Sequence, residues 1–347
     1  MNVRMILLVL LMALPGVAGA QGFAGLGATA DGFAVPKRGN LLNFPDDHGP
    51  HPSFRIEWWY VTANLTGADG RDYGIQWTLF RSALRPFESD GWQSPQLWMG
   101  HAAVTTPEAH FFDERFARDG IGQAGVTAHP FEAWIDDWQM VGPDFDHLNL
   151  RASGSEFTYD LDLVATGPLV AHGDRGYSVK SAAGQASYYY SQPAYQVSGT
   201  LDLPDGPMPV TGWAWLDREW SSQPLSEDQK GWDWFSLTFD SGERLMAFRL
   251  RGETDLFTSG TWIAPDGQAT PIGNGHVTAT PTKWDEATGR QVPIAWDLQL
   301  PEKSIDIRIE ALNPAAWMGT TFAYWEGPVQ VSGSHQGKGY LEMTGYD

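Results

Sequence analysis

EWWYVTANL (Glu57–Leu65), a turn carrying Asp69-Gly70, and IQWTLFR (Ile75–Arg81) read together as a β-hairpin. Apolar and polar residues alternate on either side of turn chemistry, the pattern of two antiparallel strands. The same order returns later as GWDWFSLTF (Gly231–Phe239), a turn with Ser-Gly, and RLMAFRLR (Arg244–Arg251). Each half then ends in an aromatic run leading into QVSG: YYYSQPAYQVSG (Tyr188–Gly199) and YWEGPVQVSG (Tyr324–Gly333). Landmarks repeating in one order point to an internal duplication. Each half is then an antiparallel unit of the size that closes into a barrel or deep half-barrel, with room for a small ligand.

The rest of the chain fits an all-β reading. Alternating runs such as Leu97–Thr105, Phe157–Ala165 and Gln291–Leu300 are bounded by Gly, Asp and Pro. No long amphipathic helix is expected, only short helical turns near Pro107–Arg118 and Ser226–Lys230. Three prolines in LPDGPMP, Leu203–Pro209, interrupt strand patterning and place the division between the units there: residues 21–200 and 201–347. Residues 21–50 have no clear period and read as an extended arm.

MNVRMILLVLLMALPGVAGA has a basic start at Arg4, an apolar run over Met5–Leu14 and the small-residue end Ala18-Gly19-Ala20. It reads as a signal peptide over residues 1–20, cleaved after Ala20, giving a periplasmic or secreted protein. The run is too short to span a bilayer. The chain has 0 cysteines, which removes thiol nucleophiles, cysteine zinc sites and iron–sulfur clusters. A formal charge of -20, spread along the chain, makes nucleic acid a poor partner. With 17 Trp, 17 Phe and 11 Tyr, the chain suits a wide β interior or a surface meeting flat, apolar or sugar ligands.

The densest chemistry lies in GWAWLDREWSSQPL, Gly212–Leu225. On a strand, Trp213, Trp215, Asp217 and Glu219 share one face, and Ala214, Leu216, Arg218 and Trp220 the other. A carboxylate on a buried face would have a raised pKa and could act as a general acid. It could equally pair with an arginine and close a barrel end, so catalytic, ligand-binding and structural roles all stay open. Glu57, beside Trp58 and Trp59, and Asp233, between Trp232 and Trp234, repeat the theme at equivalent places, which means that some of these acids are structural. His101 in LWMGHAAVT is a base, a ligand contact or a core histidine. Asp46-Asp47-His48 with His51 lacks the spacing of a strong metal signature, and neither a metal nor a cofactor is expected. Gly-x-Ser-x-Gly, His-Glu-x-x-His, the phosphate loop and the dinucleotide fingerprint are all missing.

These motifs, in order over nearly the whole chain, resemble the AttH-like and carotenoid 1,2-hydratase family. The resemblance implies two tandem lipocalin-like β-barrels and relatives that act on isoprenoid or polyene substrates. It also implies Asp-His-Glu followed by an aromatic residue, where this chain has Asp217-Arg218-Glu219-Trp220. A further expectation is a tyrosine and an aspartate two apart on a following strand; the matching region, Ala247–Leu250, has neither. The first expectation is an exported binder of an elongated apolar, lipid- or isoprenoid-like ligand. Glu57, Trp59, His101, Tyr189, Trp215, Arg218, Trp220, Trp232, Asp233 and Trp325 are its candidate contacts. The alternatives are a hydratase or cyclase with Asp217 or Glu219 as proton donor, and a partner-binding module without catalysis.

Overall fold

The computed structural model describes residues 29–89, 91–253, 256–286 and 289–346. The expected signal peptide lies outside them. The first sheet comprises β1 (Ile56–Gly67), β2 (Asp72–Ala83), β3 (Gln96–Thr105), β4 (His110–Arg118), β5 (Ala124–Ala128), β6 (Phe131–Ile135), β7 (Trp138–Asp144), β8 (His147–Ser153), β9 (Thr158–Ala165), β10 (Val170–Ala171), β11 (Tyr177–Val179), β12 (Ala186–Leu203) and β13 (Gly206–Ser221). The second comprises β14 (Gly231–Phe239), β15 (Arg244–Arg251), β16 (Leu256–Ile263), β17 (Ala269–Ile272), β18 (Thr278–Asp285), β19 (Val292–Leu300), β20 (Ile305–Ala311), β21 (Trp317–Met318), β22 (Tyr324–Gly333) and β23 (Gly337–Met343). The fold is all-β, and the helical turn expected near Pro107–Arg118 is instead the strand β4. Among the described residues no helix is long and apolar enough to cross a membrane.

The duplication is visible in the strand order. The first sheet runs β4-β3-β2-β1-β13-β12-β9-β8-β7-β6-β5 and the second β17-β16-β15-β14-β23-β22-β20-β19-β18. The two match strand for strand until β6 and β5, which extend the first sheet only. β6 packs back against β2, β3 and β4, so that sheet curls into a barrel-like form around its own core. Register makes the equivalence residue-specific. Glu57 faces Arg81 and Trp220 across β1, and Asp233 faces Arg249 and Met343 across β14.

The change of sheet does not fall at residues 200/201. LPDGPMP is the tip of the β12–β13 hairpin, where Leu203 pairs with Gly206. Pro207 and Pro209 are tolerated because the β1 pairing ends at Val210, leaving that side of β13 as a free edge that needs no N–H donor. The first sheet therefore runs through Ser221, and the second begins at Gly231.

Each sheet has its own core, with Trp59, Trp77, Trp138 and Tyr195 in the first and Trp296, Trp325 and Phe235 in the second. A third cluster joins the sheets face to face through Tyr60, Tyr189, Trp215, Trp234, Phe248 and Tyr340. β13 thus has both faces buried over its second half.

Candidate functional site

Alternation on β13 sends neighbouring side chains into different environments. Arg218 and Trp220 point into the first barrel. Arg218 donates to Glu57 Oε2 at 2.5 Å and to the Gly49 carbonyl, and its guanidinium lies 3.7 Å above the Trp59 ring. Glu57 also accepts from Arg81 Nε and, at 2.8 Å, from the His51 backbone N–H. Burial alone would push the Glu57 carboxyl up, but the Arg81 and Arg218 charges outweigh it and hold the group well below the usual range. His51 stacks on Trp220 at 4.0 Å and reaches Glu57 and Asp47 at 3.1 and 3.2 Å. This is a closed, neutralised cage. Among the described residues no group of three or more His, Asp or Glu side chains is placed to hold a metal ion.

Asp217 and Glu219 point the other way, toward the second sheet. They line a cavity of about 180 Å³ with Trp58, Tyr60, Phe80, His101, Lys180, Tyr189, Trp232, Trp234, Phe248, Leu250, Tyr324 and Glu342. Most of this wall is aromatic or aliphatic. Asp217 accepts from the Tyr189 hydroxyl at 2.5 Å, the Trp215 indole N–H at 2.6 Å and the Ser191 hydroxyl. Among the described residues no cationic side chain contacts it. Burial pushes its carboxyl up to about 7 against three lowering hydrogen bonds, with the neighbouring Glu219 charge adding to the rise. Glu219 is paired with Lys180 at 2.9 Å, and that ammonium sits 4.6 Å from the Tyr189 ring centre and 4.4 Å from that of Phe248.

The opposite wall carries a further acid, Glu342, with Glu326 behind it. Glu342 accepts from the Trp232 indole, and burial, with the Asp217 and Glu219 charges, brings its carboxyl up to about 7. Glu326, opposite Glu342 across β22 and β23, accepts from the Tyr60 hydroxyl and is pushed well above the carboxylate range by burial and by Glu342. The cavity is therefore faced by groups that keep protons near neutrality inside an aromatic enclosure. Such groups can donate a proton to a ligand where water is scarce.

The structure brings Asp217, Glu219, His101, Tyr189 and Trp232 to one cavity, with Trp215 behind Asp217. It places the other candidates elsewhere. Glu57, Trp59, Arg218 and Trp220 belong to the interior of the first sheet, and Trp325 to the core of the second. Asp233 is buried with Arg249, Arg251 and Tyr346 at 3.0, 3.4 and 2.9 Å. Sequence reasoning passed over Tyr60, Lys180, Trp234, Tyr324, Glu326 and Glu342. One of these was signalled: once Trp59 faces a core, Tyr60 must face away from it.

A family model described as AttH-like matches residues 35–346. A crystal structure of a protein from Nitrosomonas europaea titled as an AttH is 34% identical with a TM-score of 0.82, covering 90% of this chain and 99% of that one. Kievitone hydratase from Nectria haematococca shares the fold at 14% identity and a TM-score of 0.68, covering 91% of this chain and 96% of that one. No curated protein matches the chain.

Proposed function

Starting from a chain that belongs to the AttH-like family, we propose that it binds an elongated apolar, unsaturated ligand between its two sheets and adds water across a carbon–carbon double bond. One observation carries this reading: Asp217, on the cavity wall, keeps its proton up to about 7 among aromatic rings. A cavity built only to hold an apolar ligand gains nothing from a desolvated carboxylic acid.

In this mechanism the Asp217 carboxyl gives its proton to one alkene carbon. The positive charge that develops on the other carbon faces the aromatic wall, where Trp58, Trp232 and Trp234 supply negative ring faces. Water attacks that carbon, and its surplus proton passes to the Glu219 carboxylate. Asp217 is left ionised and Glu219 protonated, so one proton must be exchanged before the next turnover. Arg218 stands where the family resemblance expects histidine, but its side chain lies on the far side of β13 and takes no part in these steps. The hydratase named among the fold relatives fits this chemistry.

The test is incubation with unsaturated isoprenoid alcohols and polyenes in ¹⁸O-labelled water, read by mass spectrometry. Wild type should yield a product heavier by one labelled water. Asp217→Asn should lose turnover by about 100-fold or more, the scale of general acid catalysis, while tryptophan fluorescence still reports ligand binding. Unchanged turnover in Asp217→Asn sinks the assignment. A carrier without catalysis is the second reading. It is favoured by Phe248 and Leu250, apolar cavity-lining residues within Ala247–Leu250, the region where the resemblance expects a tyrosine and an aspartate two apart. Ligand binding with no labelled product would support it.

A further inference from the structure

Glu326 plays no part in the steps above, yet it is a buried acid directly behind the cavity-lining Tyr60. It is 1% exposed, on β22, and Tyr60 donates to its Oε1. Among the described residues its Oε2 accepts no hydrogen bond, and the Tyr324 hydroxyl lies beside the same carboxyl. From Tyr324 a continuous line of polar atoms leads outward. The Tyr324 hydroxyl is 2.9 Å from His101 Nδ1, and His101 Nε2 is 3.0 Å from Glu114 Oε1. Glu114 lies on β4 at the end of the first sheet, partly exposed, and is held by the Thr321 hydroxyl at 2.8 Å and backbone N–H at 3.0 Å.

The donors and acceptors along this line have one consistent arrangement. An ionised Glu114 only accepts, so the His101 proton sits on Nε2 and Nδ1 is bare. Tyr324 must then donate to Nδ1, and its oxygen, which the Gln76 amide reaches at 3.5 Å, keeps a second lone pair for a neutral Glu326. Tyr60 donates to Glu326 from the cavity side and also touches Glu342. Every link then holds one proton pointing outward, as a relay requires. Among the described residues the other groups acting on Glu326, namely Glu342, Tyr340 and Tyr159, are acidic or neutral and supply no competing cation.

We propose that Glu326 is a second proton-holding acid serving this cavity, that Tyr60 is its terminal there, and that Tyr324, His101 and Glu114 connect it to solvent. The proposal rests on the hydration reading for its purpose, because that reaction leaves a proton to be exchanged at each turnover. Its test needs no substrate. The carbonyl stretch of protonated carboxylic acids shifts on deuteration and can be followed by infrared spectroscopy after mixing the intact protein into D₂O.

The Glu326 band is identified as the one lost in Glu326→Gln, with Asp217→Asn marking the Asp217 band. Tyr324→Phe and His101→Gln should slow deuteration of the Glu326 band by about tenfold or more while leaving the Asp217 band unchanged. Should Glu326→Gln fail to fold, the two relay variants are still read against the band that persists when Asp217→Asn is combined with Glu342→Gln. A merely structural clasp predicts the opposite sign, since loosening the packing speeds exchange. Faster exchange, an unchanged rate, or no protonated band belonging to Glu326 would each overturn the proposal. Slowed exchange in a protein that turns over no alkene would keep the relay and remove the hydratase reading. Unchanged exchange with active turnover would do the reverse.

Discussion

The two sheets treat equivalent positions differently. β1 and β14 correspond, so Glu57 and Arg81 in the first sheet match Asp233 and Arg249 in the second: a buried acid facing an arginine across a hairpin. Along the next strand Glu219, opposite Trp58, matches Glu342, opposite Trp234. There the likeness stops. Asp217 corresponds to Tyr340, and Tyr189, opposite Glu219, corresponds to Glu326, opposite Glu342. Acid and tyrosine have exchanged strands between the halves. The barrel-facing pair is retained because each barrel must neutralise a buried charge on its own. The cavity-facing residues are free to diverge because the two sheets build one cavity jointly, and an acid supplied by one need not be supplied by the other.

The largest effect expected from breaking this comparison is at Glu57. Glu57→Gln leaves Arg81 and Arg218, 1% and 0% exposed, as buried cations without a direct ion-pair partner among the described residues. Removing one partner of such a pair costs about 3–5 kcal/mol. At the matching position Asp233→Asn should cost only about 1 kcal/mol, because the Arg249 and Arg251 side chains, each 19% exposed, can still be solvated. Burial also holds the Asp233 carboxyl above its ordinary range despite both arginines, so its charge is less favourable to begin with. Urea unfolding of the two variants side by side measures the difference. Equal costs would mean that the sheets are equally closed.

Next comes Asp217, where the sign is reversed. Its folded pKa, about 7, lies above the unfolded value of 3.8. Between those values the unfolded chain releases the proton and the folded one keeps it, so stability falls as pH rises from about 4 to about 7 and is level above. Asp217→Asn removes that fall. The variant should match wild type near pH 4 and melt higher at pH 8, since Oδ1 still accepts from Ser191 and Trp215 and the new amide can donate to the Tyr189 oxygen. Glu57 contributes in the opposite sense: its depressed carboxyl adds stability above its unfolded value that is lost as pH falls through the folded one. Melting temperatures from pH 4 to 9 separate the two. A lower melting temperature for Asp217→Asn at every pH would make that carboxyl structural.

The repeat was legible because strand pairing depends on local alternation and turns, which EWWYVTANL and GWDWFSLTF state plainly. The assignment of faces was not. A period of two distinguishes sides only when one is wet, and β13 is buried on both from Ala214 to Ser221. Trp213, Trp215, Asp217 and Glu219 could be grouped from sequence, but whether they faced a barrel interior or another sheet depends on contacts hundreds of residues away in the chain, such as Tyr60 with Glu326. Glu326 and Glu342 carried no local mark at all. Only the face-to-face packing of the sheets puts Glu342 on the cavity and Glu326 behind it. The prolines of LPDGPMP misled for a related reason: they break a central strand but not a free hairpin edge.

The smallest effect is expected where the family resemblance drew most notice. Arg218→His restores the residue expected between Asp217 and Glu219, yet it alters the barrel side of β13, with the strand backbone between it and the cavity. Glu57 keeps Arg81 and the His51 N–H, so the variant loses part of the cage but not all of it. At the cavity, the Asp217 and Glu342 carboxyls should each still titrate near about 7. Binding of an apolar probe should change by less than about twofold, because no group lining the cavity has moved. Carboxyl infrared titration and fluorescence binding, run on the folded variant below its melting transition, measure both. A shift of a full unit at Asp217, or turnover that appears only in the variant, would mean that the two faces of β13 are coupled through its backbone and that position 218 governs the chemistry from behind.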